Sequence, residues 1–360
     1  MSLSHQAIRI GFRQSRQSAK ARHRDIAMQM AISEGELIAA HCGMFDAGES
    51  PLKALRLRGE WPQVVAGLQA LGEVMALTRN ASCVHEKVGM YSNTSANGHM
   101  GLVLGGAIDL RIFYQQWAHG FAVEEILAGS ATQRSLQFFD AQGHAIHKVF
   151  LREVSLLPAY YALVEQFVDQ HLRAGIDVAT ARAREAETPD PDIDVAGLRQ
   201  GWASMRDTHE FFGLLKKFGV SRTQALRLAA SEYVSTVPVA SAHEVLTRAA
   251  QEGAPVMVFV GNPGMIQIHG GPIKRVEVMG PWLNVLDDGF NLHLREDHIA
   301  SAWLVKKPTS DGLVHSLELF DAAGETIAMF FGERKPGQAE RCDWRNLLAS
   351  LSAEVEPCPV

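Results

Sequence analysis

Asp207-Thr208-His209-Glu210 places a histidine between two carboxylates, just ahead of the apolar run Phe211, Phe212, Leu214 and Leu215. The Asp-x-x-Glu spacing is that of a capping box, so His209 is expected in the first turn of a helix running to Phe218. The positive end of a helix disfavours an imidazolium, which keeps a nitrogen lone pair available to a metal. The adjacent phenylalanines would offer an apolar wall to a flat macrocycle. On spacing alone the plainer reading, a helix-start residue facing solvent, weighs more, because 15 histidines occur and few can be ligands.

A second group is cationic. Ile108-Asp109-Leu110-Arg111-Ile112-Phe113 reads as a strand whose alternation puts Asp109, Arg111 and Phe113 on one face. Arg111 would there be a fixed cation able to orient water or dioxygen near a metal; the competing reading is an ordinary strand arginine at the surface. Arg222, Lys306, Lys307 and Arg334 are candidates for holding carboxylates, the geometry that guanidinium and ammonium groups suit, although each such residue is more often a solvated charge. His85 is the substitute metal ligand, against the heavier reading of a hydrogen-bonded core residue. No Gly-rich phosphate loop, nucleophile elbow or two-carboxylate metal pair competes with these groups.

The elements that position these residues come from a duplication. Asn80-x-x-Cys83-Val84-x-x-Lys87-x-Gly89 matches Asn262-x-x-Met265-Ile266-x-x-His269-x-Gly271, and Ser135-Leu136-x-x-Phe139-Asp140-Ala141-x-Gly143 recurs as Ser316-Leu317-x-x-Phe320-Asp321-Ala322-x-Gly324. Aligning Ile32-Ser33 with Val220-Ser221 sets Ala21 opposite His209, so the ligand candidate exists in one half only. In the Phe-Asp-Ala-x-Gly blocks, Asp favours the opening of a type I turn and Gly supplies the left-handed residue that closes a short hairpin. Pro255 to Val260 is nearly continuous in apolar residues and reads as a buried strand. Strands joined by tight turns imply antiparallel sheet, with helices expected at Trp61–Leu71, Pro158–Leu172, His209–Phe218, Arg222–Ala230 and Trp344–Leu351. The fold class is therefore α+β, a tandem pseudo-symmetric repeat. Residues 1–175 form the first repeat and 198–360 the second, and the polar, proline-interrupted stretch 176–197, with Arg182, Arg184, Glu185 and Glu187, is the linker.

Whole-chain properties narrow the function. With 360 residues and 47% hydrophobic content, the chain can fill two cores. A net charge of -6 argues against nucleic acid or an anionic membrane as partner. Cys42, Cys83, Cys342 and Cys358 show no metal-site spacing and read as reduced thiols. Neither a signal-peptide core nor a stretch of membrane-spanning length occurs, so the expected address is the cytoplasm, without membrane insertion.

Several segments together resemble the haemin-utilisation, or haemin-degrading factor, family of HemS/ChuS type. They are Met75 to Asn80, Cys83 to Glu86, Asp109 to Phe113 and Thr132 to Gln137 in the first half. In the second they are Asp207 to His209, Gly261-Asn262, Gln267 to His269, Gly280 to Trp282, Phe290 to Asp297 and Phe330 to Gly332. The resemblance covers nearly the whole chain. It implies two repeats, each with a large antiparallel sheet and flanking helices, and one haem (iron protoporphyrin IX) in a cleft between the halves. By motif match His209 would be the axial iron ligand, with Arg111 and Phe113 on the distal side. Arg222, Lys307 and Arg334 would meet the propionates, and Phe259 would line the pocket. Met329 and Phe331 stand where the family often has Gln and Tyr. The implied function is a cytoplasmic haem-binding protein of haem uptake and iron acquisition, carrying haem from an inner-membrane transporter to a haem oxygenase, as monomer or homodimer. The alternative is a haem-degrading enzyme that opens the ring and releases iron, with Arg111 catalytic and electrons supplied from outside.

Overall fold

The computed structural model describes residues 3–18, 21–43, 48–127, 131–171, 173–180, 186–335, 337–352 and 355–358. Arg182, Arg184 and Glu185 of the expected linker, and Leu172 at the end of an expected helix, lie outside the described residues.

The α+β class is what forms: among the described residues there are two large antiparallel sheets of nine strands each, with helices grouped around them. In spatial order, one sheet runs Leu52–Leu57, His119–Ile126, Thr132–Phe139, Ala145–Leu151, Val74–Arg79, Cys83–Gly89, Phe290–Arg295, Trp282–Asp287, Val276–Met279. The other runs Val234–Val237, Ser301–Thr309, Gly312–Phe320, Thr326–Gly332, Val256–Asn262, Met265–Gly271, Asp109–Phe113, Met100–Val103, Thr94–Asn97. Replacing every strand by its repeat partner turns one order into the other. The duplication seen in the sequence is thus a duplication of topology.

The chain divides into two compact units that do not follow a single cut. One comprises Met1–Arg79, Glu86–Arg182 and Asn262–Gln267; the other comprises Asn80–His85, Ala183–Gly261 and Ile268–Val360. The matched asparagines anchor these exchanged segments. In the first unit Asn262 donates through Nδ2 to the carbonyls of Arg79 (3.0 Å) and Ile146 (2.8 Å). In the second, Asn80 donates to the carbonyls of Gly261 (3.1 Å) and Ile327 (2.8 Å).

The repeated hairpins form as their residues require. Asp140 Oδ1 accepts from the backbone N–H groups of Gln142 and His144, and Asp321 Oδ1 does the same for Ala323 and Glu325. Gly143 and Gly324 close the turns at φ 77° and 76°, which side-chain-bearing residues rarely adopt.

Several helix bounds differ from expectation for local reasons. The helix Leu157–Phe167 stops early because Val168 is extended and bridges Leu57, while Asp169 N–H bonds the Arg56 carbonyl. Trp61–Gly67 is α-helical, and Leu68–Leu71 tightens to a 3-10 turn. The last helix begins at Cys342, and its Cys342 is bonded to Cys358. That disulfide corrects the reading of all four cysteines as thiols. A separation of 16 residues carries no local signal; the pair meets because Val355, 1% exposed, packs into the core against which Trp344 and Leu348 also lie. Cys42 and Cys83 are free and buried, and burial pushes the Cys42 thiol up to about 12.

In the second unit the helices Val195–Ala203, Glu210–Phe218 and Arg222–Leu228 cover one face of the sheet through Leu198, Trp202, Phe211, Leu214 and Leu226, which pack on Val305 and Phe320. Fully buried Trp202 donates its indole N–H to the Lys306 carbonyl at 2.9 Å, locking this layer to the Ser301–Thr309 strand. Burial of such an aromatic side chain stabilises the layer by roughly 3 kcal/mol.

Candidate functional site

His209 does not occupy the first helical turn. It is the N-cap of Glu210–Phe218, and the capping box is displaced: Asp207 Oδ1 accepts from His209 N–H at 2.8 Å, while Glu210 Oε2 accepts from Arg206 N–H at 3.2 Å. The same Asp207 oxygen lies 2.6 Å from His209 Nδ1. A carboxylate only accepts, so Nδ1 carries the proton and a neutral ring keeps its lone pair on Nε2. The Asp207 carboxylate, rather than the helix end, therefore orients the imidazole. The backbone N–H of His209 is the leading cause that holds the Asp207 carboxyl below its usual range. The His209 side chain is 86% exposed and Phe212 77% exposed, so the metal-ligand candidate and an aromatic ring both stand at the surface of one short segment. The segment is pinned from below, because Ser310 N–H bonds the Arg206 carbonyl at 2.9 Å.

Arg222, Lys307 and Phe259 gather in the same unit. Arg222 grips Glu318 bidentately, Nε at 2.7 Å and Nη2 at 2.8 Å, and Lys307 Nζ reaches the same carboxylate at 2.6 Å. Both cations also lie over the Phe211 ring, at 4.9 and 4.8 Å from its centroid. Phe331 stands 5.8 Å from Lys307 Nζ and meets Phe259 edge-on at 5.0 Å. Burial pushes the Lys307 ammonium down to about 8, against the attraction of Glu318. The Glu318 carboxyl is pushed up by burial too, but Arg222 and Lys307 outweigh this and hold it well below the ordinary carboxylate range.

Strand alternation separates the two neighbouring lysines. Lys307 shares the face of Val305, whereas Lys306 belongs to the other face and is no part of this cluster. Arg334 joins from the end of the Thr326–Gly332 strand, with Nη2 3.6 Å from Asp311 and its charge acting on Asp207. Its Nη1 is buried without a hydrogen-bond partner among the described residues, which leaves a donor for an incoming acceptor.

In the first unit, Asp109–Phe113 is a strand with Leu110 and Ile112 buried and Asp109, Arg111 and Phe113 together on the half-exposed face. The Arg111 guanidinium is paired with Asp109. In the second unit His85 is fully buried, 4.9 Å from the Phe290 ring, as a core histidine would be.

This donor set fits an iron porphyrin with acidic side chains. An imidazole whose Nδ1 is engaged by a carboxylate is the usual form of a metal-binding histidine; Phe212 offers an apolar face, and Arg222 and Arg334 retain exposed or unsatisfied N–H groups. Sequence reasoning named Asp207 as a cap without seeing its hold on Nδ1, and it missed Glu318 and Asp311. Glu318 was hidden because its repeat partner, Gln137, is neutral, and because the strand is buried on both faces, so alternation does not set it apart.

Fold and site together define a duplicated α+β protein with an exposed, carboxylate-oriented histidine beside an aromatic and cationic cluster. The chain belongs to the haemin-degrading HemS/ChuX domain family, whose model matches residues 31–167 and 219–351. It is 40% identical over 331 residues to the hemin transport protein HemS of Yersinia enterocolitica, spanning 91% of this chain and 92% of that one. Among solved structures, holo-PhuS, a heme-binding protein from Pseudomonas aeruginosa, superposes with a TM-score of 0.87 at 46% identity, covering 92% of this chain and 94% of that one. ChuS, described as an E. coli heme oxygenase, gives 0.82 at 37% identity over 97% of this chain and 99% of its own.

Proposed function

We propose that this protein binds one haem through His209 and carries it, within the cytoplasm, from an inner-membrane transporter to a haem oxygenase. Haem binding and utilisation is supported by the relatives named above, which are described as hemin transport, heme-binding and heme oxygenase proteins. The observation that carries the reading in this chain is the His209 ring, 86% exposed with Nδ1 committed to Asp207, beside exposed Phe212. His209 supplies Nε2 to iron, Asp207 keeps the tautomer, and Phe259 and Phe331 line apolar surface. Arg222, Lys307 and Arg334 serve the carboxylate side chains. No helix among the described residues is long and apolar enough to cross a membrane.

Degradation of the bound haem is the second reading, favoured by the likeness to ChuS. In it Arg111, steadied by Asp109, would offer its remaining N–H donors to the ligand, and Phe113 on the same strand face would help exclude water. Bound haem would supply the oxygen chemistry, with electrons from an external reductant.

Haemin titration followed at the Soret band tests the first claim. Wild type saturates at one haem per chain, and His209→Ala weakens binding or reshapes the band; an unchanged spectrum and affinity would remove His209 as ligand. Repeated turnover to an open tetrapyrrole, with a physiological reductant and catalase present, would replace carriage by catalysis.

A further inference from the structure

Each unit contains a buried carboxylate flanked by two cations, one member of each cluster opening a short helix, and the two clusters have opposite polarity. In the first unit Ser33 caps the helix Glu34–Ala39, and Glu34 pairs with Arg79 and, at 2.5 Å, with Lys148. In the second, Ser221 caps Arg222–Leu228, and Arg222 and Lys307 pair with Glu318. Ser33-Glu34 and Ser221-Arg222 are aligned in the repeat. The strand positions agree as well: Gln137 faces Lys148 across the ladder where Glu318 faces Met329. The anion has therefore moved from helix to strand, and the cation from strand to helix.

This reversal changes what reaches the surface. The first cluster is closed, with side chains of Glu34, Arg79 and Lys148 only 5%, 14% and 8% exposed. In the second, Glu318 and Lys307 are 0% and 3% exposed while Arg222 is 24% exposed. Arginine at the first residue of a helix is also disfavoured by the helix dipole, where Glu34 is favoured. Something must hold Arg222 there. Glu318 Oε1 accepts from Lys307, Arg222 and, at 3.0 Å, Ser316 Oγ, so its own orientation is fixed from three sides.

We propose that Glu318, itself out of reach of ligand, is the positioning residue that aims Arg222 at a ligand carboxylate, with Lys307 holding the Glu318 carboxylate in place. The bidentate grip uses Nε and Nη2 and leaves Nη1 as the presenting edge. This rests on the haem reading above and assigns the orientation of one carboxylate-binding group of that site to a relay from Glu318 to Arg222.

The test compares haemin with its dimethyl ester, which has no carboxylate, on wild type, Glu318→Gln, Glu318→Asp and the first-unit control Glu34→Gln. Wild type is expected to prefer the free acid by about tenfold or more, the worth of one oriented charge-assisted pair. Glu318→Gln abolishes most of that preference while ester affinity stays put, Glu318→Asp lowers it by about threefold, and Glu34→Gln leaves it unchanged. A purely structural Glu318 would weaken acid and ester alike, and a Glu318 that competes with ligand carboxylates would raise the preference when removed; either result overturns the proposal. If Glu318→Gln fails to fold, an unaltered preference in Glu318→Asp overturns it instead. Wild type binding both porphyrins equally sinks this relay but leaves the haem reading standing, whereas binding neither sinks both.

Discussion

One oxygen of Asp207 holds His209 twice, taking its backbone N–H at 2.8 Å and its ring Nδ1 at 2.6 Å. The imidazole is thus oriented by a residue two positions away while nearly all of its surface stays open. Replacing Asp207 with Ala is expected to lower haemin affinity by about 10- to 100-fold, the usual cost of losing a ligand's orienting partner. Asp207→Asn, which keeps an acceptor oxygen, should lose less. Titration at the Soret band reads both, and equal affinity for wild type and Asp207→Ala would show that the ring needs no such support.

Acid should destabilise the first unit well before its carboxylates titrate. Tyr91 O–H donates to His147 Nε2 at 2.6 Å, His147 Nδ1 lies 2.8 Å from Thr78 Oγ1, and Thr78 donates to Gln267 at 2.8 Å, all inside the core. Burial pushes His147 down to about 3 and His41 down to about 4. The unfolded chain binds a proton at each near the ordinary value of 6.5, whereas the folded chain does not. The unfolded state therefore holds more protons throughout that window, and stability falls as pH drops through it. Each group contributes a slope approaching about 1.4 kcal/mol per pH unit. Urea unfolding between pH 7 and 5 checks this, and His147→Gln should show a shallower slope; an identical slope would place the proton uptake elsewhere.

The Cys342–Cys358 bond should matter for the C-terminal segment more than for the site. Its loss releases a loop of separation 16 and frees buried Val355, with an upper cost of about 3 kcal/mol from chain entropy. Cys358→Ser should unfold at lower urea and admit protease near Val355, with haemin affinity within about twofold of wild type. A variant as stable and protease-resistant as wild type would mean that packing alone holds the segment.

Much of the fold was legible because its signals are local or repeated. The Phe-Asp-Ala-x-Gly turns need only Asp and Gly at fixed offsets, and they close as read, at Gly143 and Gly324. The strands at Asp109–Phe113 and Val256–Asn262 follow from alternation and β-branched content. The helix start near His209 was also legible, but displaced by one residue, because Asp207 satisfies the His209 N–H where the box spacing offered it to Glu210.

What the amino-acid order determined by itself was the duplication, the α+β class, the hairpins and the small set of candidate cations, since each depends on residues a few positions apart or on the match between halves. Tertiary structure alone decided that Asn80–His85 and Asn262–Gln267 belong to the units they do, that Lys307 enters the cluster while Lys306 turns away, and that Cys342 meets Cys358. It also decided that Arg222 and Lys307 converge on Glu318, 96 and 11 positions distant in sequence. Such choices are made by which side chains share a buried face and must neutralise one another there. No periodicity records that, because removal from water acts on neighbours in space irrespective of their order along the chain.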